Sequence, residues 1–278
     1  MVIAARVGNP QTIHVEHAAG LRADVPAAII DAAASPALAL PVLLASLLGR
    51  QPQVLAAQRE IVERSFGTGL LPAVDQQTRT VAGLAPQLRL PVLQLLFPTL
   101  RRLTLDDRRK LLRTVDQLAQ LDGQTDVFEC SLALMLGAAL NDELTGPRVA
   151  GTQTITQLIA PMAVVFSVLA THGSADATGA RRAYESGLGL VLPRDRPSYR
   201  AIADWPQQFA SALRALQTLH PYGKRALIEG LVKTIAHDEQ LSTAEAELLR
   251  TVCAVLRCPL PPLLPRVAVA ARSVASAG

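Results

Sequence analysis

Aromatic residues make up 3% of the 278-residue chain, and only one of them is tryptophan. A core so poor in rings is built from Leu, Ala and Val, which suits packed helices better than a sandwich of strands. Cysteine is scarce as well. Three residues, an odd number, exclude a disulfide framework and point to a reducing compartment. Charged residues are 18% of the chain against 50% hydrophobic, which excludes disorder over its whole length. Lysine is nearly missing: Lys110, Lys224 and Lys233 are the only three among 27 Lys and Arg.

What is present adds up to a net charge of +4. The densest basic stretch is Arg101, Arg102, Arg108, Arg109, Lys110 and Arg113, interrupted by Asp106 and Asp107. It lacks the interleaved aromatics on which bases stack, so nucleic acid is not an expected partner, and the stretch reads as a solvated helix face. The first residues carry no apolar run of signal-peptide length. Residues 32–49 and 149–175 are free of Asp, Glu, Lys and Arg. The first is interrupted by Pro36 and Pro41. The second has a short apolar heart, Leu158 to Ala170, and reads as a buried core helix rather than a membrane span, which takes about 20 apolar residues. No transmembrane helix is expected.

Proline and glycine punctuate a succession of helical patterns. Helices are predicted at 11–20, 25–34, 37–48, 51–65, 71–83, 106–121, 127–144, 154–171, 177–187, 204–218, 221–237 and 243–256, with a short apolar connecting helix at 90–98. The class is all-α, a multi-helix array or bundle. A Gly- and Pro-containing linker at 141–153 divides it into two helical halves, 1–145 and 146–278. Trp205 and Tyr222 are expected to anchor packing.

The strongest pattern is an internal repeat. Asp107 to Glu129 matches Gly223 to Glu245: Arg109 falls on Arg225, Leu111 on Leu227, Asp122 on Asp238 and Glu129 on Glu245. Each copy reads as a helix, a tight turn opened by Asp and a second helix. Gly123 suits a left-handed turn residue. Ser242-Thr-Ala-Glu245 has the spacing of a capping box, and Asp126-Val-Phe-Glu129 is the same device with an Asp cap.

These turns resemble the TerB-like helical family. The resemblance implies that Asp122, Glu129, Asp238 and Glu245 are candidate metal ligands. Turn and capping chemistry explains the same four residues, and a hard cation wants six or more oxygens. A wider resemblance rests on Ala5-Arg6-Val7-Gly8-Asn9-Pro10, the Leu90–Leu100 segment, the Arg-rich helix, both turns and Leu256-Arg257-Cys258-Pro259-Leu260-Pro261-Pro262. In that order they are similar to the C-terminal region of bacterial membrane zinc metallopeptidases of the HtpX and CAAX-prenyl-protease type.

Those peptidases bind zinc through His-Glu-x-x-His. Here the nearest sequence is His14-Val15-Glu16-His17, with the wrong spacing, and His172, His220 and His237 stand alone. No catalytic residue and no cofactor is therefore assigned to this chain; zinc belongs to the catalytic domain of the resembled family. Cys130, Cys253 and Cys258 form no Cys-x-x-Cys pair and read as small core residues. The resulting expectation is a helical accessory module with a protein partner, a membrane peptidase domain being the one the resemblance implies, in the cytoplasm at the inner face of the membrane. The alternative is a stand-alone TerB-like, stress-associated or metal-responsive protein.

Overall fold

Among the described residues, seven helices have proline in their first two positions: Pro36, Pro52, Pro72, Pro86, Pro98, Pro206 and Pro221. A first-turn N–H has no intrahelical acceptor, so proline loses nothing there and its fixed φ favours helix entry. The computed structural model describes residues 25–121, 123, 125–141, 151–238 and 240–260. The first half consists of α1 (Ala27–Ala32), α2 (Pro36–Ala45), α3 (Pro52–Phe66), α4 (Leu71–Ala82), α5 (Pro86–Gln94), α6 (Phe97–Leu100), α7 (Leu105–Gln120) and α8 (Val127–Leu140). The second consists of α9 (Ile159–Gly173), α10 (Ala177–Val191), α11 (Trp205–Leu216), α12 (Pro221–Ile235) and α13 (Thr243–Leu256). Among the described residues there is no strand, only an isolated bridge between Gln153 and Leu219. The protein is an all-α multi-helix array.

The repeat extends to the helix boundaries. Adding 116 to Val127–Leu140 gives Thr243–Leu256, the bounds of α13, and adding it to Leu105–Gln120 reproduces α12 to within one residue at its end. Packing repeats too. Helix α3 packs on α7 as α10 packs on α12; α6 meets α8 as α11 meets α13; α2 meets α6 as α9 meets α11.

Two hydrophobic clusters result. One joins Ile29 to Leu140 and the other Leu158 to Leu256. They interlock where α8 packs on α13: Cys130 of α8 belongs to the second cluster, and Ala254 of α13 packs on the first. The boundary expected at 145/146 and the helix expected at 11–20 lie outside the described residues. Helices α10 and α12 approach closely: a Cβ on Gly187 would stand 1.9 Å from Thr234 Oγ1 and 2.6 Å from the Gly230 carbonyl.

Several details differ from expectation. Pro41, within the helix expected at 37–48, lies inside α2, and Pro91, expected in the first turn of a connecting helix at 90–98, lies inside α5, which starts earlier at Pro86. An internal proline costs about 3 kcal/mol. In α5, Leu88, Leu90, Val92 and Leu93 are buried, and at about 1.5–3 kcal/mol each they outweigh it. The Arg-rich stretch is not a uniformly solvated face. Arg108 is buried and donates to the carbonyls of Leu103 and Arg101; Arg101 Nε donates to Ala139 O (2.8 Å) and Arg102 to Ala34 O (3.3 Å). These guanidinium groups satisfy carbonyls that helix ends leave open. Tyr222 is 79% exposed and stacks on His220 instead of anchoring the core, whereas Trp205 packs edge-on against His172 at 4.5 Å. Ile155–Gly173, a 3-10 turn followed by α9, is by length and composition long and apolar enough to cross a membrane. Here Met162, Val165, Phe166, Val168, Leu169 and Ala170 of α9 are buried in the second cluster.

Candidate functional site

Of the four acidic turn residues, Asp122 lies outside the described residues. Gly123 beside it has φ of 70°, the left-handed conformation expected of it. Glu129 closes a capping box: its amide donates to Asp126 Oδ1 (2.7 Å), and its Oε2 accepts from the Asp126 amide (3.1 Å). Glu245 does the same with Ser242, accepting through Oε2 from both the amide (2.9 Å) and the hydroxyl (2.8 Å). Asp238 Oδ1 accepts from the Gln240 amide at 3.0 Å, a side-chain-closed turn.

Glu245 is 4% exposed, and its carboxylate rests against Gly173, where a Cβ would stand 2.3 Å from Oε1. The glycine that ends α9 thus makes room for the acid. Burial raises the Glu245 pKa; the Ser242 hydrogen bonds lower it, and the charge of Asp238 raises it again. Asp238 and Glu245 line one cleft of about 260 Å³ with Asp176, Arg182, Thr234 and His237. Glu129 is not part of that cleft. Among the described residues no three His, Cys, Asp or Glu side chains converge as metal ligands.

A second polar site was not anticipated from sequence. Glu247, one helical turn into α13, is 7% exposed, and its pKa is pushed up to about 7. Burial is the main cause. The Asp126 charge adds to it, and Arg89 and Arg250 oppose it. Arg250 donates to Gln94 Oε1 of α5 at 3.0 Å, and the Arg89 guanidinium lies 3.9 Å from the centre of the Phe128 ring. These groups occupy the seam between the clusters. One trace was readable: at the repeat offset Glu247 stands opposite Ser131 and Arg250 opposite Leu134, so charge replaces small or apolar residues in one copy alone.

A groove of about 690 Å³ lies between α9, α11 and the segment 197–202. Its less exposed apolar lining is small, with Ala163, Val164 and Ala212. Arg200, Gln208 and Ser211 form an exposed rim. The covering segment is pinned by Tyr184 Oη donating to Pro197 O (2.8 Å) and by a 3.0 Å hydrogen bond between Thr171 Oγ1 and Tyr199 Oη. Within this segment Tyr199 and Ile202 were the signal available in the sequence.

No protein-family model matches the chain, and no curated protein or solved structure does either. The class that fold and sites define is an all-α helical array with a duplicated helix–turn–helix.

Proposed function

We propose that the chain is a non-catalytic helical accessory module that receives an apolar segment of a protein partner in the groove between α9 and α11. The observation that carries this reading is the groove itself. Its volume of about 690 Å³ falls in the ~300–1,000 Å³ range of binding clefts. Its floor is apolar, and its rim offers a guanidinium, an amide and a hydroxyl to a peptide backbone. On this reading α9 is a core helix whose outer face is the binding surface, and a membrane peptidase domain of the resembled kind is the first partner to try. Selection of a displayed random-peptide library on the whole protein tests it. Enrichment of apolar peptides that is lost with Ala163→Gln and Ser211→Arg together supports the reading. Peptides that bind both proteins equally contradict it.

A second reading rests on the cleft that Asp238 and Glu245 line together with Asp176 and His237: a metal-responsive protein that takes a cation there. A ligand bound only by the folded state raises Tm by mass action. Melting in calcium, magnesium, manganese or zinc, with Asp238→Asn as control, decides it; an unchanged Tm in all four contradicts it.

A further inference from the structure

Helix α13 ends in a left-handed residue, Arg257, with φ of 56°. The Arg257 amide donates to Ala254 O (3.3 Å), and the Cys258 amide donates to Cys253 O (2.9 Å). This is the Schellman arrangement, a 5→2 bond nested inside a 6→1 bond. In it the side chains at the first and last positions commonly touch. Both of those positions are cysteine.

With ordinary bond lengths, the 2.9 Å contact limits the Cα–Cα separation of Cys253 and Cys258 to at most about 6.8 Å, within the ~4.4–6.8 Å that disulfides span. The thiols sense each other: burial pushes Cys253 up to about 12, and the charge of Cys258 adds to the rise. Their environments differ. Cys253 is buried, while Cys258 is partly accessible. Burial raises the Cys258 pKa, and Lys224, whose Nζ donates to Leu256 O at 3.2 Å, opposes part of that rise. In the first repeat the position of Cys253 is Gly137, so the pair is peculiar to the second copy.

From this geometry we propose that Cys253 and Cys258 are a reversible redox pair, closed to a disulfide by hydrogen peroxide, which staples the end of α13. Cys258 is the attacking thiol. Its thiolate sulfur bonds to one peroxide oxygen, the O–O bond breaks, and hydroxide leaves and is protonated to water. The product is a Cys258 sulfenic acid. Cys253 loses its proton and attacks that sulfur; the S–S bond forms, and the sulfenic oxygen leaves as a second water. Two thiols and one peroxide thus give one disulfide and two waters, and a dithiol reductant reverses the change. The staple closes over the turn whose Val255 and Leu256 carbonyls accept from Gln217 (3.5 Å) and Lys224 (3.2 Å), so oxidation fixes the corner shared by α11, α12 and α13.

The test treats the whole protein with hydrogen peroxide, blocks remaining thiols under denaturing conditions and digests with trypsin. Cleavage after Arg257 separates the two cysteines, so the disulfide joins peptide 251–257 to peptide 258–266. The expected result is that joined pair, with titratable thiols falling from three to one and recovering with dithiothreitol. Cys130→Ser leaves the link intact, and Cys253→Ser leaves a Cys258 sulfenic acid that dimedone captures. Three results overturn the proposal: Cys258 driven to sulfinic acid without a link, a link found only between two chains, or three thiols surviving peroxide.

Discussion

Asp126 and Ser242, 116 residues apart, hold the same post: each accepts the amide of a glutamate three residues on, at 2.7 Å from Glu129 and 3.2 Å from Glu245. Each glutamate returns a hydrogen bond to its cap. Both helices so started are 14 residues long, and they pack against each other at the seam of the two clusters. Duplication of a helix–turn–helix thus creates the surface by which its copies join.

Loss of either cap weakens that seam. Asp126→Ala and Ser242→Ala should each cost about 1 kcal/mol, read as a lower denaturant midpoint with unchanged slope. An effect near zero for both would show that packing alone starts these helices.

Glu247 gives stability a definite pH dependence. Its folded pKa, about 7, lies above the ordinary 4.5. Between those values the folded state holds a proton that the unfolded chain has released. The stability contributed by the neutral carboxyl is therefore complete below about 4.5 and is lost as pH rises through about 7. Glu247→Gln should gain on the native protein at pH 8 relative to pH 5 in matched denaturation curves. A constant difference would mean the carboxyl is not buried as described.

His172 works in the opposite sense. Burial lowers its pKa from the ordinary 6.5. Below pH 6.5 the unfolded chain takes up a proton that the folded ring refuses, so this contribution is lost as pH falls. An NMR titration should place the ring below 6.5, and His172→Phe should flatten the acid limb of the stability profile.

Two glycines should answer alanine oppositely. Gly187→Ala drives a methyl into Thr234 Oγ1 and the Gly230 carbonyl, at 1.9 and 2.6 Å, and separates α10 from α12. Such overpacking costs about 1–3 kcal/mol or more. Gly137 has nothing within 4 Å of a new Cβ, so Gly137→Ala should stabilise α8 by about 0.5–1 kcal/mol. Thermal melting of both variants checks the sign.

Helix starts were the most legible part of the sequence because their chemistry is local. Ser242 with Glu245 fixed the start of α13, Asp126 with Glu129 that of α8, and Pro36 and Pro221 opened α2 and α12. Pro91 misled, since a proline suits a first helical turn, whereas Pro86 opens α5 and the burial of Leu90 and Leu93 that carries Pro91 inside it is a property of the fold. The acceptors of Arg101, Arg102 and Arg108 were hidden too, because three of their four carbonyls lie on other helix ends. Of the candidate site, Asp238 and Glu245 proved to share a cleft. The groove stayed invisible, because it is made by the distance between α9 and α11 and by two tyrosines that pin the segment above them.

The most direct test of the groove's role places a photo-crosslinking amino acid at Ser211 on its rim and, as a control, at Glu60 on the exposed side of α3. Illumination of cells that make the protein should give one discrete adduct from position 211, absent from position 60, and absent again when Ala163→Gln fills the floor. Equal adducts from both positions, or none from position 211, would contradict the account.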